Sequence, residues 1–502
     1  MRFISNMSVA EHRYLLMLIL AVFAVVINCT ADENPDELYG RIDQVENNLL
    51  PTVVKTGSPS PGMSLSERMH HYMVPGVSIA MINDSEIEWA KGYGVTEVAG
   101  LQAVNADTLF QAASVSKPVA AVGVMLLNQS ETIDIDRNSN DYLRSWHIPD
   151  NEFTRTEKVT IRRLLSHTGG LGVPSFMGYE SEIPVPNLLD VLDGKGYANN
   201  DPIRAESVPG SIYSYSGGGY EVLQLLIEDV TNQPFREYMT AHLFQQLGMN
   251  SSDFIQPIDL PLESRAASGH DADGKVLPGK WHTYPELAAA GLWTTPTDIA
   301  RLTIELQKAA GSNGGTVLTE KTAKEILTVQ PNSTIMGLGI LVQNTSGDVL
   351  FSYMGSNAGF KPCLVAYCDR GQGAVIMTNG DNGADLCMEI LFSIAKVYGW
   401  QDIKPEEADL VDVPVKILES YVGNYKQAES NETYRIALSD TGLVMRAGQP
   451  IPTWSDLYPV SENRFLLRSI NLYGNLDFTK DSGGNVYGFE VTGATNFTAK
   501  RF

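Results

Sequence analysis

Ser114 and Lys117 are the two residues whose types and spacing point most clearly to chemistry. They stand three positions apart where an apolar run from Val115 to Leu127 predicts a buried helix. Residues three apart share a helix face, so the lysine amine can take the proton of the serine hydroxyl. Burial disfavours the ammonium form, and a helix N-terminus favours a developing oxyanion. The pair therefore predicts an activated serine nucleophile.

The pair by itself is also compatible with a capping serine followed by a solvated lysine. Two further segments favour the catalytic interpretation. Ser211–Tyr220 (SIYSYSGGGY) is a glycine-rich loop that leads into an amphipathic helix, and it lacks the Gly-Lys-Ser/Thr of a phosphate loop. Tyr353–Phe360 (YMGSNAGF) follows a predicted strand, where a glycine lets a ligand approach the strand edge.

In this order and spacing, the three segments resemble the motifs of the class C β-lactamase-like serine hydrolases, the S12 peptidase family of the penicillin-binding superfamily. Val74–Val77, Leu164–Leu171 and Ala289–Thr295 resemble the same family, and the resemblance covers roughly residues 40 to 400. The remaining C-terminal part resembles the lipocalin-like β-domain that follows the catalytic domain in many members.

The resemblance assigns catalytic roles to three side chains. Ser114 is the expected acylated nucleophile, Lys117 its base, and Tyr215 the proton shuttle, with Tyr213 as a competing candidate. The backbone N–H groups of Ser114 and Ser356 are expected to form the oxyanion hole, where one donor contributes about 3 kcal/mol of barrier lowering.

Gly217, Tyr353 and Gly355 are the expected substrate-binding positions, and two of them depart from the family pattern. Gly217 stands where many members carry Asn, and Tyr353 where members carry Lys or His. A neutral tyrosine donates one hydrogen bond but offers a substrate carboxylate no charge attraction. Lys361 is a nearby cation in sequence only. Efficient β-lactam hydrolysis is therefore less expected than cleavage of esters, amides or small D-amino-acid peptides.

The elements needed to position these residues predict an α+β fold. Strands early and late in the chain flank a helical middle section, which indicates an antiparallel sheet completed by both ends and flanked by helices, with a helical subdomain. We predict a signal peptide (1–31), the hydrolase domain (32–400), a linker (401–411) and a small all-β barrel domain (412–502).

Composition narrows the possible partners. The formal net charge of −23 without a basic stretch argues against nucleic-acid binding. There is no CxxC and no clustered His/Cys set, so neither a metal site nor a cofactor is expected. The expected partner is a small-molecule or short-peptide substrate, and the sequence does not define an oligomeric state.

The N-terminus predicts export to the periplasm or the exterior. The apolar run Tyr14–Ile27 is too short for a comfortable bilayer span but suits a secretory signal. Small residues favour cleavage after Ala31. A weak lipobox at Val26–Cys29 leaves a lipoprotein anchored through Cys29 as the alternative, and an uncleaved anchor stays open.

These features predict an exported serine hydrolase that acts through an acyl-enzyme. A class C-type β-lactamase or D-alanyl-D-alanine carboxypeptidase is the nearest alternative. Two alternatives of another class remain: a catalytically decayed binding or sensor protein on the same fold, and an assembly role led by the C-terminal domain.

Overall fold

The computed structural model describes residues 35–58, 62–311, 314–345, 347–427, 430, 432–446, 453–469, 473–494 and 496–502. The predicted signal peptide and Cys29 lie outside these residues. Within the described part of the chain, no helix has both the length and the apolar character needed to cross a bilayer.

Strands of the first part of the chain lie in an early group and a late group, with a long helical section between them. They are β1 (Val53–Lys55), β2 (Gly76–Asn83), β3 (Glu86–Gly94), β4 (Phe110–Gln111), β5 (Trp293–Thr294), β6 (Leu341–Thr345), β7 (Asp348–Met354), β8 (Cys363–Tyr367), β9 (Gln372–Thr378) and β10 (Glu406–Ala408). Strands β3-β2-β9-β8-β7-β6, in that order, form an antiparallel sheet. Because β2 pairs with β9, early and late segments complete one sheet, which confirms the predicted fold class.

Helices cover both faces of this sheet. They are α1 (Pro35–Asn47), α2 (Leu65–His71), α3 (Ser116–Gln129), α4 (Ile161–Leu165), α5 (Leu188–Asp193), α6 (Gly217–Thr231), α7 (Phe235–Met239), α8 (Gln245–Leu247), α9 (Leu260–Glu263), α10 (Leu287–Ala290), α11 (Pro296–Ala310), α12 (Glu320–Ile326), α13 (Gly383–Tyr398) and α14 (Val415–Tyr421). One apolar core joins α3, α6 and α11 to the sheet, and a second lies between the other face and α1, α2 and α13.

The two helices nearest the predicted motifs start for clear local reasons. Apolar residues lie on nearly every side of α3, and it is accordingly buried all round. Helix α6 begins where the Ser216 hydroxyl accepts the Gly219 N–H at 2.9 Å, and it ends at Asn232 in the left-handed conformation. The glycine-rich loop therefore passes into α6 at Ser216.

The C-terminal part forms a closed antiparallel barrel of eight strands. They are β11 (Gly423–Gln427), β12 (Thr433–Ser439), β13 (Gly442–Arg446), β14 (Trp454–Pro459), β15 (Arg464–Arg468), β16 (Tyr473–Lys480), β17 (Val486–Gly493) and β18 (Phe497–Arg501). Closure leaves no open sheet edge, and tyrosine and phenylalanine rings fill the interior. Within the predicted linker, β10 pairs in parallel with β1.

A cluster of buried and half-buried polar side chains joins the barrel to the first domain, and we call it the docking cluster: Arg68, His71, Tyr72, Glu389 and Asp456. The Arg68 guanidinium donates to both Glu389 carboxylate oxygens, at 2.6 and 2.7 Å. Asp456 of β14 lies 3.4 Å from Arg68 and 3.1 Å from His71 Nε2. The barrel is thus held against α2 and α13.

Candidate active site

Ser114 lies in a tight 3₁₀ turn, Ala113–Val115, between β4 and α3. The apolar run predicted a helix from Val115, and α3 starts one residue later, at Ser116. The turn forms because Ala113 adopts a φ of 47°, an unfavourable value for a residue with a Cβ. Such strain concentrates at functional sites. It leaves the serine half-exposed at the edge of a buried helix.

Lys117 is almost completely buried, with 2% of its surface exposed. Its Nζ donates to Ser114 Oγ at 3.1 Å and to the Ala289 carbonyl at 2.8 Å. Among the described residues, no carboxylate lies within ion-pair distance of this amine. The lysine is therefore held against the serine by neutral oxygen atoms.

Tyr215, rather than its competitor Tyr213, contacts the serine. Its hydroxyl lies 3.0 Å from Ser114 Oγ, and Lys117 Nζ stands 5.0 Å from its ring centroid. Burial raises the pKa of the Tyr215 phenol. The charge and hydrogen bond of Lys117 oppose burial, with further hydrogen bonds from Ser114 and Tyr353, and the net pKa lies below 10.0. The Lys117 amine and the Tyr215 hydroxyl thus both contact the Ser114 hydroxyl.

His167 is a member of this site that we did not predict. Its Nδ1 accepts the Ser216 N–H at 3.1 Å, and its Nε2 lies 3.5 Å from the Tyr353 hydroxyl. Burial, followed by the charge of Lys117, lowers the pKa of His167 to about 3 and keeps the imidazole neutral. The sequence contained a clue to His167, because this residue belongs to the Leu164–Leu171 segment that resembles the family.

The end of β7 lies close to the 3₁₀ turn that holds Ser114. A Cβ on Gly355 would stand 2.8 Å from the Ala112 carbonyl oxygen and 2.9 Å from the Ala113 Cβ, so glycine is required there. Asn357 holds the loop that follows through hydrogen bonds to Gln111 at 2.7 Å and the Ala290 carbonyl at 3.1 Å.

The two amides predicted to form the oxyanion hole belong to Ser114 and Ser356, which directly follow the contacting residues Ala113 and Gly355. No hydrogen-bond acceptor for either amide is found in the described part of the chain. Both N–H groups are therefore available to a ligand.

Gly217 occupies the first position of α6, and its N–H donates to the Pro174 carbonyl at 3.0 Å. A Cβ there would lie 3.0 Å from the Phe176 ring. A side chain at this position would need Phe176 to shift by a few tenths of an ångström.

Lys361 takes no part in the site. Its buried Nζ donates to Asp381 and to the Asn357 carbonyl, both at 2.8 Å. Lys361 thus supports the loop formed by residues 355–360. It does not replace the cation that family members carry at the position of Tyr353.

Two wholly buried carboxyl groups lie behind Lys117. Glu221 accepts the Ala289 N–H at 3.3 Å through one oxygen. Its other oxygen and both oxygens of Glu286 have no hydrogen-bond partner among the described residues. Burial raises the pKa of Glu286 to about 8 and that of Glu221 well above its ordinary range. Neither residue was predicted, although Ala289 itself belongs to a segment that resembles the family.

Within the described residues, no group of three or more His, Cys, Asp or Glu side chains is placed to hold a metal ion.

Comparison with known proteins gives separate evidence on the family of the chain. Residues 64–392 match the family model described as Beta-lactamase. Protein flp of Staphylococcus aureus (strain MW2) is 29% identical over 235 residues, which are 45% of this chain and 42% of that protein. The chain thus spans less than half the length of the first curated relatives it matches.

Penicillin-binding protein 4* of Bacillus subtilis (strain 168) is 23% identical over 421 residues, covering 78% of this chain and 88% of that protein. Among solved structures, the octameric penicillin-binding protein homologue from Pyrococcus abyssi has a TM-score of 0.58 at 20% identity. That alignment covers 87% of this chain and 98% of the other, and it shows a shared fold. The family match covers more than half of the chain, and the protein therefore belongs to the Beta-lactamase family.

Proposed function

We propose that the protein is an exported serine hydrolase that cleaves an ester, amide or D-amino-acid peptide bond through an acyl-enzyme on Ser114. One observation carries the proposal: Ser114 Oγ lies 3.1 Å from Lys117 Nζ and 3.0 Å from the Tyr215 hydroxyl. A serine hydroxyl needs such a neighbouring base to become a nucleophile.

In the proposed reaction, Ser114 Oγ attacks the acyl carbon while its proton passes to the Tyr215–Lys117 pair. The N–H groups of Ser114 and Ser356 stabilise the resulting oxyanion. Tyr215 then returns the proton to the leaving group as the scissile bond breaks. Water attacks the acyl-serine in the second half and loses its proton to the same pair, and Ser114 recovers its hydroxyl.

The charge of the site favours substrates that carry no carboxylate beside the scissile bond. Tyr353 stands at the position of the family's cation, His167 beside it is neutral, and Lys361 is paired with Asp381. A hydrogen bond from a neutral donor is about half as strong as one from a cation. Neutral esters, amides and small D-amino-acid peptides fit this site better than β-lactams.

The second candidate is penicillin acylation or D-alanyl-D-alanine carboxypeptidase activity. It is favoured by the name of the Bacillus subtilis relative, which this chain matches over most of its length. A decayed binding protein is the third candidate, and the retained contacts among Ser114, Lys117 and Tyr215 argue against it.

The test is a panel of p-nitrophenyl esters, D-amino-acid amides and nitrocefin, together with labelling by a fluorophosphonate, on wild type and Ser114→Ala. We expect ester or amide turnover and labelling in the wild type, and neither in the variant. Ser211→Ala, at an exposed serine, is the control and should behave as wild type. Full activity in Ser114→Ala would falsify the proposal, and nitrocefin as the preferred substrate would select the second candidate.

Export is tested separately, by N-terminal sequencing and mass measurement of the protein recovered from outside the cytoplasm. A mature terminus at Asp32 supports signal cleavage, and a lipid-modified Cys29 supports the lipoprotein. Recovery of the intact Met1 terminus from the cytoplasm would contradict export.

A further inference from the structure

Asn357 directly follows Ser356, and its side chain is buried, with 1% of its surface exposed. Its Nδ2 donates to Gln111 Oε1 at 2.7 Å and to the Ala290 carbonyl at 3.1 Å. An amide nitrogen carries two hydrogens, so both are used within the protein. The Asn357 nitrogen is therefore not available to a substrate, and it acts through the two segments that it joins.

The first acceptor, Gln111, lies in β4, three residues before Ser114. Its Nε2 donates to the His282 carbonyl at 2.8 Å, and its Oε1 accepts from Asn357. The partners on both sides assign which end of this buried amide is the donor and which is the acceptor. Because Gln111 is held at both ends, the bond from Asn357 ties the loop formed by residues 355–360 to the strand that leads to the nucleophile.

The second acceptor, the Ala290 carbonyl, belongs to α10. The neighbouring Ala289 carbonyl accepts Lys117 Nζ at 2.8 Å. Just beyond this helix, the Leu292 carbonyl accepts the N–H of Ala112, the residue that precedes the 3₁₀ turn, at 2.8 Å. The second bond of the same amide thus reaches the segment that holds both the lysine and the start of the turn.

We propose that Asn357 is a positioning residue that sets the Ser356 N–H at the distance from Ser114 that an oxyanion requires. The inference rests on the proposed function and deepens it. On one side of Ser356, the Gly355 N–H donates to the Pro362 carbonyl at 2.9 Å. On the other side, the Asn357 amide provides the tie. An oxyanion donor has to lie within about 2.7–3.1 Å of the developing charge, so a small displacement of Ser356 weakens it.

The remaining hydrogen bonds of the loop come from other parts of the protein. The Ala358 N–H donates to the Tyr284 hydroxyl at 3.0 Å, and the Gly359 N–H donates to Asp381 at 2.8 Å. Neither partner belongs to β4 or α10. These bonds keep the loop folded when the Asn357 side chain is shortened, but they do not tie it to the segments around the nucleophile. The expected defect is a misplaced amide in an otherwise folded loop.

The experiment compares Asn357→Ala with the wild type in fluorophosphonate acylation and in the hydrolysis of a p-nitrophenyl ester. Acylation and kcat/KM should fall between about 10-fold and 100-fold, because misplacing a donor costs less than removing it. kcat should fall together with kcat/KM, and KM should change by less than about twofold, since the bond to the oxyanion is made only in the transition state. The pH profile should keep its wild-type limbs, because Lys117 and Tyr215 are unchanged.

A second measurement uses phenylboronic acid, which forms a tetrahedral adduct with a serine hydroxyl. Its affinity should fall by about the same factor as kcat/KM, because the adduct places an oxygen where the oxyanion develops. A purely structural defect would lower the amount of folded enzyme and leave the affinity of the folded part unchanged.

Asn382→Ala is the matched control. Asn382 is 3% exposed, and its Nδ2 also donates to two carbonyls, those of Tyr72 at 2.8 Å and Ala272 at 2.9 Å. This variant should lower the thermal unfolding midpoint about as much as Asn357→Ala, since each change leaves two buried acceptors without a donor. Its kcat/KM and boronate affinity, per folded molecule, should match the wild type.

Wild-type kcat/KM or boronate affinity in Asn357→Ala overturns the inference, as does an equal loss in Asn382→Ala or a shifted pH limb. Asn357→Ser serves where Asn357→Ala does not fold. Its single hydroxyl hydrogen satisfies at most one acceptor, so acylation should fall at least about threefold, and wild-type acylation would contradict the inference. Failure of the proposed function is distinguishable, since the wild type would then show no labelling dependent on Ser114.

Discussion

The active site and the docking cluster are both buried and polar, but their charges are arranged in opposite ways. In the docking cluster, Arg68 makes a two-pronged ion pair with Glu389 and reaches Asp456. At the active site, Lys117 donates to the neutral oxygens of Ser114 and Ala289 and lies over the Tyr215 ring. Arg68 is paired with carboxylates, whereas Lys117 has no ion-pair partner within the described residues.

The difference shows which region holds the structure together and which is prepared for reaction. Burial by itself would lower the pKa of the Arg68 guanidinium, but its bond to Glu389 outweighs this, so the arginine is locked in the charged form. Removing one partner of such a pair is costly. Groups without charge partners reduce stability but keep a reactivity that pairing would remove.

The largest contrast should come from replacing Lys117 and Arg68. Lys117→Met should lower acylation of Ser114 by about 10³-fold or more, because the base is lost. Its thermal unfolding midpoint should stay the same or rise, since an unpaired buried amine is removed. Activity assays and calorimetry on the same preparation measure both. A Lys117→Met protein that melts well below wild type would contradict this view of the site.

Arg68→Met should give the opposite result. It leaves Glu389 buried without its partner, at a cost of about 3–5 kcal/mol in the free energy of unfolding. Acylation of the protein that remains folded should match wild type, because Arg68 belongs to the docking cluster. Arg137→Met, in an exposed pair with Asp141, is the control and should barely move the midpoint. Comparable melting of the two variants would remove the contrast.

Glu286→Gln should stabilise the protein at neutral pH. The pKa of Glu286 in the fold is about 8, above its ordinary 4.5, so wild-type stability is retained below pH 4.5 and is lost as pH rises toward 8. At pH 7 this corresponds to about 3 kcal/mol, at 1.4 kcal/mol per unit. The variant should lose less stability over that pH range in urea unfolding. An identical slope would mean that Glu286 titrates normally.

His167→Asn should have the smallest effect, and it should appear on the acid side. The pKa of His167 is about 3 in the fold, against an ordinary 6.5, so wild-type stability falls as pH drops from 6.5 toward 3. At pH 5 the loss is about 2 kcal/mol. The variant should have a shallower slope in this range whatever its absolute stability, and unfolding midpoints at several pH values provide the measurement.

Local patterns predicted the fold well because most elements carry their own signals. The strands in β2, β7, β8 and β9 and the helices α3, α6 and α11 lie close to where periodicity indicated. The predicted start of α3 was one residue too early, since the chain first makes a 3₁₀ turn at the left-handed Ala113, against which Gly355 packs. Local sequence does not contain that contact.

The sequence by itself indicated the Ser114–Lys117 pair, the order of the motifs and the two departures at Gly217 and Tyr353, because spacing along one chain encodes them. It favoured Tyr215 over Tyr213, but only the tertiary structure placed the Tyr215 hydroxyl against Ser114 and brought His167 to Tyr353, which is 186 residues away. The tertiary structure also set the pKa values of the buried groups. Each pKa here depends on burial and on partners from distant segments, and those partners meet only when the chain has folded.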